Sequence, residues 1–352
     1  MRLRSTRRSA VAACLAFVFC AVAPGPAVAQ DVIRLKLSHF LPDTHGMHMD
    51  FMEPWARDLE RCTDDRVQVT VYPAGSAFGS ITRQLDQVRA GVVDIAHGLS
   101  GLPRGNFLAT SVIELPFMVE TADVATRTLW QLYQEGYFGD EYKGLKVLAL
   151  HAHNPGLFHT QEVPIDELSD MEGLRIRTPS PSVSMMLEYL GASPVGMPPL
   201  NTYQALLKGT LDGTVFPWDA IGAFNLNEVL QFHTDARAYT TSFYFVMNQH
   251  RYESLPTKVR QCIDSLSGET LIRKFGDWWN QWDAPGRKEA IALGHTIIPV
   301  SDEQRAQWKQ KLEPMIQARL DDLKEKGVEN VDDIYTRAQE LIEKFEAECT
   351  TC

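Results

Sequence analysis

The chain is short of positive charge, of long apolar runs and of recognisable catalytic motifs. Its 34 Lys and Arg stand against 45 Asp and Glu, a formal net charge of −11. That balance argues against nucleic acid or an anionic membrane surface as the main partner, since both need a basic face. A small anionic ligand is still compatible, because it needs only one local cation. Past residue 29 no stretch reaches 18 apolar residues, which excludes a bilayer-spanning helix there. No G-x-S-x-G elbow, Walker loop, G-x-G-x-x-G or H-E-x-x-H occurs. Those absences remove the common hydrolase, nucleotide-binding and zinc-protease signatures and lean toward a binding protein rather than an enzyme.

What is present begins with an export leader. Arg2, Arg4, Arg7 and Arg8 form a basic start, Ala10 to Val22 is a short apolar run, and Ala27-Val28-Ala29 has the small-x-small pattern of a cleavage site. Thirteen apolar residues are too few to cross a bilayer, for which about 20 are needed. Without residues 1–29 the chain carries 45 acidic and 30 basic side chains. Export puts Cys62, Cys262, Cys349 and Cys352 in an oxidising compartment, where three pairings are open. The terminal Cys349-Thr350-Thr351-Cys352 has redox or metal spacing. With no second pair at metal spacing it reads as a staple or a bystander, and no metal or cofactor is expected.

Hydrophobic periodicity predicts an α/β protein. Ile33 to Leu37 and Val67 to Val71 alternate as strands, the stretch from His48 to Cys62 is amphipathic helix, and Ile81 to Ala90 is helix ended by Gly91. Val92 to Ala96 is a short buried strand. The pattern restarts with strands at Lys146–Leu150, Leu174–Arg177, Thr214–Phe216 and Ser242–Asn248, and with helices ended by Gly191 and Gly209. One long helical region is expected from Pro256 to Leu293 and another from Asp302 to Glu348. Two α/β lobes with late crossovers suggest a cleft protein.

The titratable residues offer weak signals. His151 and His153 fall on one face of a strand end but lack a third ligand, so polar surface is the simpler account; His45 and His48 merit the same reading. Asp94 and Glu114 border apolar runs, where loop capping competes with a paired-acid role. Trp278, Trp279 and Trp282 at i, i+1 and i+4 predict packing in the core or hinge, while Trp218 can stack on a ligand or close the cleft floor.

A set of short blocks carries a family likeness. Ser38-His39-Phe40-Leu41-Pro42, Val71-Tyr72-Pro73-Ala74-Gly75, Arg89 to Ile95, Glu114-Leu115-Pro116-Phe117, Met171 to Pro179, Gly191-Ala192-Ser193-Pro194 and Leu211-Asp212-Gly213 together resemble the DctP solute-binding subunit of TRAP transporters. The resemblance spans essentially the whole chain after residue 29. It implies a two-lobed periplasmic binding protein with a ligand cleft between the lobes and long C-terminal helices. The expected division is a leader at 1–29, lobe I at 30–153 plus 243–281, lobe II at 154–242 plus 282–320, and a C-terminal helix and tail at 321–352. It also implies a periplasmic monomer without enzymatic activity that takes up an organic acid and delivers it to small and large membrane subunits, driven by an ion gradient.

In the family, the arginine of the Gly-Leu-x-Ile-Arg block grips the ligand carboxylate, and that position here is Arg177. Arg175 shares its strand face by alternation, so the resemblance rather than the register selects Arg177. Phe216 stands where many members carry asparagine, Leu157 where some carry a further arginine, and Phe40 and Leu99 where sugar-acid members are polar or acidic. One cation among apolar walls favours a monocarboxylate with an apolar, aromatic or 2-oxo remainder, since a second charged end would be left unpaired. His97, Asn154 and Ser180 are candidates for additional polar contacts, and Trp218 for stacking. A dicarboxylate or sugar acid, a ligand sensor for a receptor, an ABC-type binding protein and an exported enzyme are the competing readings.

Overall fold

The computed structural model describes residues 32–348. The expected leader, Cys349 and Cys352 lie outside the described residues. The chain enters the first lobe through β1 (Ile33–Ser38), α1 (Glu53–Cys62), β2 (Val67–Tyr72), α2 (Gln84–Arg89), β3 (Ile95–Leu99), α3 (Ala122–Gln134) and β4 (Leu145–Ala152). It crosses at 153–155 and builds the second lobe from β5 (Gly156–Thr160), β6 (Arg175–Thr178), α4 (Pro181–Tyr189), β7 (Ser193–Gly196), α5 (Thr202–Leu207), β8 (Gly213–Phe216), α6 (Trp218–Ala223) and β9 (Phe232–Tyr239). It then returns at 240–241 to the first lobe as β10 (Ser242–Asn248), α7 (Gln249–Ser254) and α8 (Thr257–Ser265). The last elements are α9 (Glu269–Ala292), β11 (Thr296–Pro299), α10 (Asp302–Glu325) and α11 (Val331–Glu348). The two sheets run β2-β1-β3-β10-β4 and β11-β9-β5-β8-β6-β7. This is the expected two-lobed α/β architecture with long C-terminal helices.

Local chemistry explains most of these elements. In β1, Leu35 and Leu37 are buried while Arg34 and Lys36 face solvent, as a half-buried strand requires. The strand expected at Val92 starts three residues later, because the Val92 N–H bonds the Gln87 carbonyl at 2.9 Å and closes α2. The region read as one helix from Pro256 breaks at Gly268 (φ +58°), which separates α8 from α9. The expected C-terminal helix likewise breaks at Gly327 (φ +96°). Both glycines hold left-handed backbone that a side chain disfavours.

Two helices belong to both lobes. Phe275, Trp279 and Trp282 of α9 pack in the first lobe's core, while Ala290, two turns on, packs among Leu206, Phe216 and Ile221 of the second. Trp308, Leu312 and Met315 of α10 pack in the second lobe, and Leu320 and Leu323 in the first. The only disulfide among the described residues, Cys62–Cys262, joins α1 to α8 across 200 residues of sequence. Where α6 lies on α9 the backbones nearly touch: a Cβ on Gly286 would sit 2.1 Å from the Trp218 carbonyl oxygen. That approach fixes the start of α6, and with it Asp219, beside the crossing between lobes.

Candidate functional site

The lobes face each other across a cleft whose space, open mouth included, is about 490 Å³. Phe40, Leu41, Ile81, Leu99, Phe243 and Trp279 wall it from the first lobe, and Arg177, Phe216, Asp219 and Phe224 are among those facing them from the second. The polar members of the lining are few, so each carries weight.

Arg177 stands on β6, flanked by Val195 of β7 and Thr214 of β8, and only 2% of it is exposed. Its Nε donates to the Met197 carbonyl at 3.1 Å, and its guanidinium lies 4.1 Å over the Phe216 ring. It forms no ion pair with any described acidic residue. Burial lowers its pKa to about 10, a small part of which the nearby Tyr239 restores, so the cation persists at neutral pH. Arg175, two residues earlier, is spent differently: its Nε and backbone N–H donate to Asp212 Oδ2 at 2.9 and 2.7 Å, and its side chain is 45% exposed. A buried cation without an anion is costly, and Arg177 is the one of the two left for a ligand.

Three further polar atoms of the lining are buried without a hydrogen-bond partner: the Tyr239 hydroxyl, Trp279 Nε1 and Asp219 Oδ1. The first two can donate, Tyr239 near the guanidinium and Trp279 from the facing wall; the third can only accept. The other oxygen of Asp219 is held from across the cleft. His45 Nδ1 accepts the Met47 N–H at 2.9 Å, so Nε2 carries the proton and donates to Asp219 Oδ2 at 2.9 Å. The Asp219 N–H in turn donates to Asp283 Oδ1 at 2.8 Å. Burial and the neighbouring Asp219 push the Asp283 carboxyl well above the usual range.

The crossing strands are tied together at the cleft. His153 donates from Nδ1 to the Asn154 carbonyl, its Nε2 accepts from the Thr241 hydroxyl at 2.6 Å, and Thr240 Oγ1 donates to the His153 carbonyl at 2.6 Å. Burial lowers His153 to a pKa of about 4. Behind Phe216 runs a chain of three imidazoles. The Phe216 carbonyl can only accept, so His159 donates to it from Nε2 at 3.0 Å. The order then forces His233 Nδ1 to donate to His159 (2.7 Å) and His295 Nδ1 to donate to His233 (3.0 Å).

Of the residues selected from sequence, Phe40, Arg177 and Phe216 meet at the cleft. His97 does not reach it: it is fully buried, stacks on Phe40 and Phe243, which do, and bonds His151 at 3.0 Å. Ser180 caps α4 through Val183 and hydrogen-bonds Glu114. Asn154 caps α3 through the Ala122 N–H and donates to Asn280 and Asp283, and Trp218 packs on His159 and His233. Asn154 and Trp218 instead line a second recess of about 1550 Å³, with Arg127, Arg237, Arg273 and Arg287 set among acidic residues. His45, His151 and His153, read as polar surface, are all buried; sheet and hinge cover them, which strand-end position alone does not reveal. Asp94 and Glu114 are not paired with each other. Asp94 accepts from the Lys36 N–H and Arg251, and Glu114 accepts from the Ser242 N–H and hydroxyl. No group of three or more His, Cys, Asp or Glu suited to a metal ion occurs among the described residues, and no helix there is long and apolar enough to cross a membrane.

The model of the family described as bacterial extracellular solute-binding protein, family 7 (DctP) matches residues 37–322. The chain is 30% identical over 311 residues to the outer membrane transporter protein TsaT of Comamonas testosteroni, covering 87% of this chain and 91% of that one. Among solved structures it resembles a TRAP solute-binding protein from Rhodoferax ferrireducens T118 in complex with copurified benzoate. The TM-score is 0.85 and the identity 33%, with 90% of this chain and 99% of that one covered. It also resembles a marine metagenome TRAP solute-binding protein specific for aromatic acid ligands, in complex with 3-hydroxybenzoate. There the TM-score is 0.86 and the identity 33%, with the same coverage.

Proposed function

The chain belongs to the DctP family of bacterial extracellular solute-binding proteins, the solute-binding components of TRAP transporters, and from that membership we propose that it captures an aromatic monocarboxylate in the periplasm. The carrying observation is the buried Arg177 with no ion-pair partner in a cleft walled mainly by aromatic and aliphatic side chains. A carboxylate supplies the missing anion, and a planar guanidinium offers it two parallel donors. Phe216 beneath the cation and Phe40, Phe243 and Trp279 opposite favour an aromatic remainder. Support also comes from the similar structures, which hold benzoate and 3-hydroxybenzoate.

Binding and closure stabilise one another in this reading. In an open form Arg177 is hydrated, where an ion pair is worth little; closure excludes water and strengthens the same contact. The protein performs no chemistry on the solute and passes it to small and large membrane subunits. Calorimetric titration with benzoate, phenylacetate, succinate and glucuronate tests the proposal. Benzoate or phenylacetate is expected to bind, with a rise in melting temperature. Tight binding of succinate or glucuronate with none of either aromatic acid overturns it.

A further inference from the structure

Asp219 is hard to explain in a site built for an anion. It brings an acidic side chain into the same lining as Arg177, where a ligand carboxylate has to be accommodated. Packing does not excuse it, because a hydrophobic residue of that size would line the wall without repelling the ligand. It is nevertheless held with care: His45 fixes Oδ2, Asp283 fixes its backbone N–H, and the contact of α6 with α9 fixes the backbone around it. Oδ1, by contrast, is buried and receives no hydrogen bond from any described residue. A buried, oriented acceptor with a free lone pair needs a donor, and buried polar groups are rarely left without one.

We infer that Asp219 is a specificity-determining residue that accepts a hydrogen bond from a hydroxyl on the bound acid, so that the solute class is the hydroxylated aromatic monocarboxylates. This deepens the proposal above and rests on it. The donor is a neutral hydroxyl rather than an ammonium because, apart from Thr241, the remaining walls are rings and aliphatic side chains, which a second full charge would have to enter desolvated. Tyr239 complements the assignment, since its unpartnered O–H near Arg177 suits the carboxylate end, which only accepts. His45 acts as a positioning residue. Its proton is committed to Oδ2 by the Met47 N–H on its other nitrogen, which leaves Oδ1 to the ligand. Because His45 comes from the first lobe and Asp219 from the second, the acceptor is completed only when the lobes are together.

The test compares pairs that differ by one hydroxyl, by calorimetry on the wild-type protein: benzoate against 3- and 4-hydroxybenzoate, and phenylacetate against mandelate. At least one hydroxylated acid should bind about ten- to a hundredfold tighter than its parent, as a hydrogen bond to a carboxylate provides. In Asp219→Ala that ratio should fall to near one, whatever the change in either affinity alone. His45→Gln should lower it less. A crystal of the wild-type protein with the preferred acid should place its hydroxyl oxygen within hydrogen-bond reach of Asp219 Oδ1, a readout that needs no variant to fold. Equal binding of parent and hydroxylated acids, a ratio that survives Asp219→Ala, or a hydroxyl bonded elsewhere overturns the inference while leaving the aromatic-acid reading intact. Failure of every aromatic acid to bind overturns both.

Discussion

The cleft and the larger recess flank the same crossing between lobes, yet they use charge in opposite ways. The recess holds four arginines among acidic residues: Arg127 pairs with Asp123 and Glu348, and Arg237 with Asp235, while Arg273 is largely in water. The cleft holds one arginine, Arg177, buried and not ion-paired, with Asp219 elsewhere in the same lining. Size and number of cations would favour the recess. Selectivity favours the cleft, because a paired or hydrated cation gains little from one more anion, whereas a desolvated unpaired one gains a great deal.

Substitutions break or sharpen that contrast in order of effect. Arg177→Ala should weaken aromatic-acid binding roughly a hundredfold or more, the scale of losing one side of a buried charge pair at about 2–5 kcal/mol. Titration calorimetry reads this directly, and an unchanged affinity would remove the guanidinium from the site.

The next effect is on stability. Burial lowers His153 and His159 to about 4 and His39 to about 3, against about 6.5 in an unfolded chain. The unfolded chain therefore binds protons first as pH drops. The stability these groups allow is complete above about pH 6.5 and declines toward pH 4, by up to about 1.4 kcal/mol per unit for each histidine. Urea unfolding at pH 7 and pH 5 should show the loss, and His153→Gln should make the slope shallower. A flat profile would contradict the burial of these imidazoles.

Smaller again is Phe216→Asn, which removes a cation–π contact worth about 0.5–2 kcal/mol along with part of the apolar wall. Benzoate affinity should fall by about tenfold, and tighter binding would contradict the wall's role. Smallest of all is Arg273→Ala in the recess. Its side chain is 80% exposed and sits 3.9 Å from Glu269, so benzoate affinity should stay within about twofold; a large loss would move the site to the recess.

The same pair of cavities shows where the sequence was legible and where it was not. Strands with one wet face, such as Ile33–Ser38 and Val67–Tyr72, alternate and are readable. Gly156–Thr160 is buried at every position and has no period to detect. At the crossing, successive residues face opposite cavities: His153 and Asp219 line the cleft, while Asn154 and Trp218 line the recess. A choice displaced by one residue therefore lands on the other side: Asn154 and Trp218 face the recess, while His153, which reads as polar surface, and Asp219, which carries no signal in the sequence, face the cleft. Arg177 was identifiable through its block resemblance. The His45–Asp219 contact joins residues 174 apart, and no local pattern announces such a pair. Trp279 was visible as part of a tryptophan cluster, but its place on the cleft wall depends on how α9 lies across the lobes.

That lie of α9, shared by α10, governs what can be done with the polypeptide. A truncation after Pro299 would strip Trp308 and Leu312 from one half and Leu320 and Leu323 from the other. Neither half is a transplantable module, and calorimetric melting should give a single endotherm rather than two. Any redesign of the binding face must then be made by substitution in place, within an indivisible molecule.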